Sequence, residues 1–265
     1  MYQTTYVRAS SLAEAANLLR DNPDAKLISG GQTLVPTLRQ RLARASHLVD
    51  IVHLAELRGL TLEGDRVVIG ATTTHAEVAA SDLVRQRIPG LAHLAGLIGD
   101  PPVRHLGTIG GSIANNDPAA DYPAAVLALN AAVHTSRRTI GADDFFTGLF
   151  ETALDPGEIV VRVSFPIPRR SAYEKFHQSA SRFALVGVFV AVLADGSIRV
   201  AVTGAGPCVF RATSIESALA RSFTAEAAES AAISADGLNS DIHGSAEFRA
   251  HLVPVLAARA VAQAR

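Results

Sequence analysis

The sequence predicts an α+β fold in two parts. Three observations carry that prediction: short strands and helices are mixed up to roughly residue 165, Pro166-Ile167-Pro168-Arg169-Arg170 then breaks both periodicities, and beyond it three strands are followed by three helices. The division falls at 168/169, giving parts 1–168 and 169–265. Apart from alanine-rich helices, no internal repeat or low-complexity segment interrupts the pattern.

Ser11-Leu12-Ala13-Glu14 has capping-box spacing, and Leu12, Ala15, Ala16 and Leu19 recur at helical intervals until Asp21-Asn22-Pro23 stops them. A buried strand over 25–29 follows. Gly30-Gly31 then turns the chain into a helix over 34–42, with Pro36 tolerated in its first turn. Residues 47–51 read as a strand, and 60–62 with 67–69 as a hairpin around Gly64-Asp65.

Thr74-His75-Ala76-Glu77 repeats the capping-box pattern and opens helical stretches to Arg87 and over 89–98. Residues 99–123 are rich in Gly, Pro, Asn and Asp, yet Val103, Ile109 and Ile113 interrupt them. An ordered, buried loop is therefore expected there, and ordered loops of this length usually bind something. A helix resumes over 124–129, and 132–135, 138–140 and 158–165 read as strands. In the second part, strands over 173–177, 184–193 and 197–203 make a three-stranded antiparallel sheet, its last two strands joined at Asp195-Gly196. Helices over 212–220, 225–234 and 247–264 cover one face.

Composition removes several function classes. Lys and Arg number 24 against 25 Asp and Glu, so no overall charge attracts a phosphate backbone or an anionic membrane, and nucleic acid is not an expected partner. Apolar residues make up 48% and charged residues 18%, enough to bury one or two cores. The longest apolar run, 183–194, is too short for a membrane span. The one cysteine, Cys208, supplies neither an internal disulfide, a thiolate zinc site nor an iron–sulfur cluster, and it reads as a small buried hydrophobe. The nine histidines show no metal-helix pattern, so no protein-ligated metal is expected. Met1-Tyr2-Gln3-Thr4-Thr5 has neither a basic nor an apolar leader region, and a cytoplasmic location is the expectation.

Two glycine segments stand out. Ile28-Ser29-Gly30-Gly31-Gln32-Thr33 lies between a strand and a helix start, where it is either a tight turn or an anion site built from backbone N–H groups. Gly107-Thr108-Ile109-Gly110-Gly111-Ser112 runs on through Asn115, Asn116, Asp117 and Pro118 to Asp121. Its bare amides, hydroxyls and carboxylates suit a dinucleotide, although Asp117-Pro118 also reads as a helix cap and Asp121 as a first-turn acid. Neither segment is a P-loop or a Gly-x-Gly-x-x-Gly fingerprint. No Gly-x-Ser-x-Gly elbow or nucleophile–base pair is present either, so no catalytic residue is assigned. Arg39, Arg41 and Arg44 form either a partner-facing or a solvated helix face.

Together, Ser29-Gly30-Gly31-Gln32-Thr33 before Leu34-Val35-Pro36, and Thr108-Ile109-Gly110-Gly111 before Asp117-Pro118-Ala119-Ala120-Asp121, closely resemble the FAD-binding medium subunit of molybdenum hydroxylases, in the carbon monoxide dehydrogenase and xanthine dehydrogenase branches. The likeness continues through 42–51 and 173–184. It implies a two-lobed FAD-binding domain of the vanillyl-alcohol-oxidase type, with lobes at about 1–57 and 58–168, followed by a small C-terminal flavoprotein domain. It also implies that Gly30, Gly31, Gln32 and Thr33 face one side of the FAD pyrophosphate and Thr108, Gly110, Gly111 and Ser112 the other, with Ser29, Leu34, Ile109, Asn115 and Asp117 also among the FAD-binding residues. Asp121 would hold the adenosine end, and Ile98 matches the apolar residue that packs on the isoalloxazine, a position helix-core packing explains equally.

Ser29 replaces the usual alanine and His105-Leu106 the commoner Asn-Arg. His177 and Phe183 stand where the family often has a basic and an aromatic residue beside the flavin. The implied function is electron transfer within a hetero-oligomer: a molybdenum-cofactor large subunit oxidises substrate, a [2Fe-2S] small subunit relays electrons, and FAD on this chain delivers them to an external acceptor. A stand-alone flavin oxidoreductase and an assembly subunit that has lost FAD are the competing readings. Carbon monoxide, purines, N-heterocycles and aldehydes all remain open as substrates of the complex.

Overall fold

The computed structural model describes residues 2–265. The chain opens with β1 (Thr5–Arg8), α1 (Leu12–Asp21), β2 (Lys26–Ile28), α2 (Leu34–Arg39) and β3 (His47–Asp50), in which the strands form a parallel sheet of order β1-β3-β2. Ser11 caps α1 by accepting from the Glu14 N–H. The expected reciprocal bond is displaced by one residue, because the Glu14 carboxylate takes the Ser10 N–H and hydroxyl instead. The helix expected over 34–42 stops at Arg39. Arg41 takes a left-handed φ of 61°, and Leu42 N bonds back to Thr37 O in a Schellman closure. The three arginines therefore do not share a helix face: the Arg41 and Arg44 guanidinium groups lie over the Tyr2 ring, 5.5 and 4.1 Å from its centroid.

A 3₁₀ turn at Ala55–Leu57 leads to β4 (Leu60–Glu63), β5 (Arg66–Gly70), α3 (His75–Ala80), α4 (Asp82–Arg87) and α5 (Pro89–Gly96). Thr74 and Glu77 form the complete capping box the sequence predicts. The segment expected to be a loop carries two helices, α6 (Pro101–Leu106) and α7 (Ile109–Asn115). Asp100 caps α6 ahead of a proline pair and Thr108 caps α7, so each short run has the start signal that a count of loop-forming residues hides. Then come α8 (Tyr122–Ala128), β6 (Ala132–Thr135), β7 (Thr139–Gly141), α9 (Ala142–Phe145), β8 (Phe146–Gly148), β9 (Glu151–Thr152) and β10 (Val160–Pro166). The five-stranded sheet β4-β5-β10-β6-β7 is antiparallel throughout. Its inner strands and α5, α7 and α8 enclose the largest core, which includes Ile69, Leu91, Ile113, Val126, Val163 and Phe165.

The remainder comprises β11 (Arg170–His177), β12 (Ala184–Val192), β13 (Ile198–Thr203), β14 (Phe210–Arg211), α10 (Thr213–Arg221), α11 (Ala225–Glu229) and α12 (Ala246–Gln263). The sheet has four strands rather than three, since β14 pairs with β13 through Ala201 and Val202. The helix expected to reach residue 234 ends at Glu229, where the Ser230 hydroxyl bonds to Ala227 O in competition with the backbone. Nine buried or nearly buried residues in a row make β12 the centre of this sheet, with α10 and α12 on its covered face. Among the described residues, no helix is long and apolar enough to cross a membrane.

Glu158, just before β10, ties down the β6–β7 hairpin. It accepts from Thr135 Oγ1 at 2.6 Å, from Arg138 Nε and Nη2 at 3.1 Å each, and from Asp155 N at 2.8 Å. Burial raises its pKa, but these donors outweigh burial and bring it from 4.5 down to about 2. A depressed carboxylate stabilises the fold above its unfolded pKa and loses that contribution as pH falls through the folded value. Because solvent screens the half-exposed Arg138, Glu158→Gln is expected to cost on the order of 2 kcal/mol at neutral pH. Urea unfolding at neutral pH and at about pH 3 checks this, with the difference from wild type shrinking on acidification.

Candidate functional site

The first glycine segment follows β2 and the second joins α6 to α7, and the two meet directly. A side chain at Gly30 would place its Cβ 2.2 Å from Leu106 O and 2.7 Å from Gly107 Cα, so backbone lies on backbone there. The Thr108 hydroxyl donates to Ser29 Oγ at 3.2 Å across the same junction. Gly31 has φ 67°, which turns the chain out of β2 and towards α2. Among the described residues, the N–H groups of Gly30, Gly31, Gln32, Thr33 and Leu34 make no hydrogen bond within the chain. A row of free amides at a helix start is a receptor for an anion.

The second segment divides differently from the sequence-based expectation. Ile109 is wholly buried in the main core and its N–H bonds to Thr73 O. Gly110 is packed against Ala71: a Cβ there would fall 2.5 Å from Ala71 Cβ and 2.7 Å from Ala71 O, and its N–H already bonds to Ala71 O. These two are packing residues and offer a ligand neither side chain nor amide. Gly111 is exposed, and a Cβ there would meet only Thr108 Oγ1, at 3.0 Å. Gly111 and the half-buried Ser112 therefore form the open side of the segment, whereas Thr108 is buried, its hydroxyl accepting from Gly111 N at 3.3 Å while donating to Ser29. Gly107, the first residue of the segment, serves packing: its bare Cα leaves room for His75, whose Nε2 would lie 2.6 Å from a Cβ. Burial, and secondarily Arg104, lowers the His75 pKa to about 4, so it is neutral there, with its ring 5.3 Å from that of Tyr122.

Asn115, half-buried, ends α7, and Asn116 closes it with φ 44°. The Asn116 side chain donates to Gly148 O at 2.9 Å and Glu151 O at 2.7 Å, clamping the β8–β9 hairpin to the glycine segment. Asp117 caps no helix. Its Oδ1 accepts from Ala119 N at 2.9 Å, closing an Asx turn, because α8 begins only after Asp121. The C-terminal sheet holds this run: Thr203 Oγ1 donates to Pro118 O and Ala120 O, and Ala184 N and Gly204 N bond to Ala119 O and Pro118 O.

Asp121 departs most from its expected role. Instead of standing free at an adenosine end, its Oδ1 accepts from Tyr173 Oη at 2.6 Å and from Lys175 Nζ at 2.9 Å, with the Lys175 and Asp121 side chains 3% and 4% exposed. Burial pushes its carboxyl above the ordinary carboxylate range even though Lys175 and Tyr173 favour the charged form. Tyr173 and Lys175 are two apart on β11 and so share a face. Gly187, opposite Lys175 on β12, leaves space for the Tyr173 hydroxyl, which would be 2.2 Å from a Cβ at that position. The lone glycine in an otherwise apolar strand was the signal for this close approach.

Ile98 is half-buried and packs against the edge of the main core, in the turn between α5 and α6. Lys175 Nζ also donates to Leu97 O in that turn, at 3.0 Å. His177 and Phe183 lie exposed at the end of β11 and just before β12, on the rim nearest the 118–120 run. No cluster of metal-binding side chains occurs among the described residues, and Cys208 is a half-buried thiol 3.6 Å from Asn116 Nδ2.

Free amides over 30–34, close to the exposed Gly111 and the half-buried Ser112, fit the pyrophosphate of a dinucleotide. Comparison with known proteins agrees. Residues 2–168 match the family described as the FAD binding domain in molybdopterin dehydrogenase, and residues 171–264 match the CO dehydrogenase flavoprotein C-terminal domain. The carbon monoxide dehydrogenase medium chain of Hydrogenophaga pseudoflava is 36% identical over 97% of this chain and 95% of its own. The nicotine 6-hydroxylase medium subunit of Paenarthrobacter nicotinovorans is also 36% identical, over 98% and 96%. A solved structure of the H. pseudoflava carbon monoxide dehydrogenase lacking the Mo-pyranopterin moiety superposes with a TM-score of 0.90, covering 98% of this chain and 96% of that one.

Proposed function

Since the chain belongs to the FAD-binding medium-subunit family of the molybdenum hydroxylases, we propose that it passes electrons from a [2Fe-2S] small subunit to an external acceptor, within a cytoplasmic hetero-oligomer whose large subunit carries the molybdenum cofactor. The observation that carries the site is the row of unpaired N–H groups at 30–34, which starts where Gly30 packs on the Leu106–Gly107 backbone just ahead of α7. Those amides, with the Ser112 hydroxyl and the bare Gly111, would hold the pyrophosphate, and Thr108 would hold the two segments together through Ser29. Ile98 would border the isoalloxazine, and Asn115 and the Asp117 turn would shape the intervening wall. Bound FAD supplies the exchange between one-electron and two-electron chemistry. The protein's part is position: residues 1–168, in lobes 1–57 and 58–168, make the cleft, and 169–265 brace it through Thr203, Tyr173 and Lys175. With one cysteine, the chain draws its iron–sulfur input from a partner. Relatives named for carbon monoxide and for nicotine are equally identical to it, which supports a substrate choice made on another subunit.

The test is the visible spectrum of the purified chain, with the flavin released by heat identified by chromatography against FAD and FMN. One equivalent of FAD is expected, and Gly111→Val is expected to fold yet retain none, because its side chain projects from the open face. A folded wild-type chain that takes up no added FAD overturns the reading.

A further inference from the structure

The turn that carries Ile98 is held in an unusual way. Its three successive carbonyls are each taken by a cation: Leu97 O by Lys175 Nζ at 3.0 Å, and Ile98 O and Gly99 O by Arg104 Nη1 at 3.0 and 2.9 Å. The two cations come from different domains, Lys175 from β11 of the C-terminal sheet and Arg104 from α6. Lys175 also holds Asp121, so one ammonium group fixes the 97–99 turn relative to the 117–121 run. Arg104, by contrast, makes no ion pair; the carbonyls are its partners among the described residues. Gly99, at φ 50°, completes the turn, and Asp100 caps α6 immediately after it.

We propose that Lys175 and Arg104 are positioning residues for the flavin, clamping the Ile98 turn from two domains, so that the C-terminal domain helps to set flavin affinity and the unpaired Arg104 charge raises the flavin's reduction potential. This rests on the FAD reading above. A carbonyl held by a charged donor loses more when that donor is removed than a neutral pair does, and a fixed cation near the flavin favours added electrons.

The experiment uses the full-length chain with FAD as the probe, comparing wild type, Arg104→Met and the double variant Lys175→Met with Asp121→Asn. The double variant removes both charges of the buried pair, so that no orphan charge confounds folding, and Arg104→Met releases the same turn without disturbing an ion pair. Circular dichroism confirms the fold, fluorescence titration gives FAD affinity, and spectroelectrochemistry gives the midpoint potential at saturating FAD. Each variant is expected to bind FAD about 10- to 100-fold more weakly, as loss of an outer-shell support commonly does. Arg104→Met is expected to lower the potential by more than the charge-neutral double variant. Folded variants with wild-type affinity and potential overturn the positioning role while leaving the FAD assignment intact. A folded wild-type chain that does not bind FAD overturns both.

Discussion

Gly30→Val is expected to yield a chain without flavin. The obstacle is main chain, since a Cβ would lie 2.2 Å from Leu106 O and 2.7 Å from Gly107 Cα, and neither atom has a rotamer to turn away. The two segments must separate, which takes the 30–34 amides away from the Thr108 face and breaks the Ser29–Thr108 bond. Overpacking of this kind costs about 1–3 kcal/mol of stability. Losing two charge-assisted amide bonds to a phosphate, each roughly 1.5–3 kcal/mol, lowers affinity by about 100-fold or more. Equilibrium dialysis against FAD checks the affinity. Gly141→Ala is the control, because its nearest neighbour would be a side-chain oxygen of Asp144 at 3.7 Å, and it should bind as wild type.

Asp121→Ala is expected to have the largest effect on stability. It leaves the Lys175 ammonium, 3% exposed, with only Leu97 O, and removes the acceptor of the buried Tyr173 hydroxyl. Breaking one side of a buried ion pair costs about 3–5 kcal/mol, and chemical denaturation measures it directly. Asp121→Asn keeps an acceptor for both donors but still leaves the buried ammonium without its counter-charge, so it should lose less than Asp121→Ala while remaining destabilised. Equal losses in the two variants would mean that the lost counter-charge of Lys175, and not the hydrogen-bond acceptor, carries the whole cost.

Much of this architecture is written locally in the chain. Thr74 and Glu77 announce α3, Gly64-Asp65 the β4–β5 hairpin, and the two glycine segments the close approach of the chain after β2 to the chain before α7. What local pattern does not carry is which atoms of a motif are already spent. Ile109 and Gly110 sit inside the same hexapeptide as Gly111, yet their amides belong to Thr73 and Ala71, residues almost forty positions upstream. Asp121 likewise looks like a free acid until β11 is folded beside it, because Tyr173 and Lys175 reach it across some fifty residues. Arg104 and Asn116 were legible as types but not as roles, since each acts on backbone carbonyls, which have no residue signature.

The position of β10 between β5 and β6 governs when this molecule can assemble during synthesis. Val163 pairs with Ile69 and with Val133, so the inner strand of the five-stranded sheet emerges from the ribosome after nearly everything it must join. The β4–β5 hairpin waits as a separate piece with an exposed edge while roughly ninety residues are added, and the β6–β7 hairpin while roughly twenty are. Lys175 and Tyr173 come later still, so the nascent chain has a complete first glycine segment long before it has an enclosed place to put a cofactor. Vectorial synthesis thus orders the events: scaffold closure first, domain docking next, and flavin loading last.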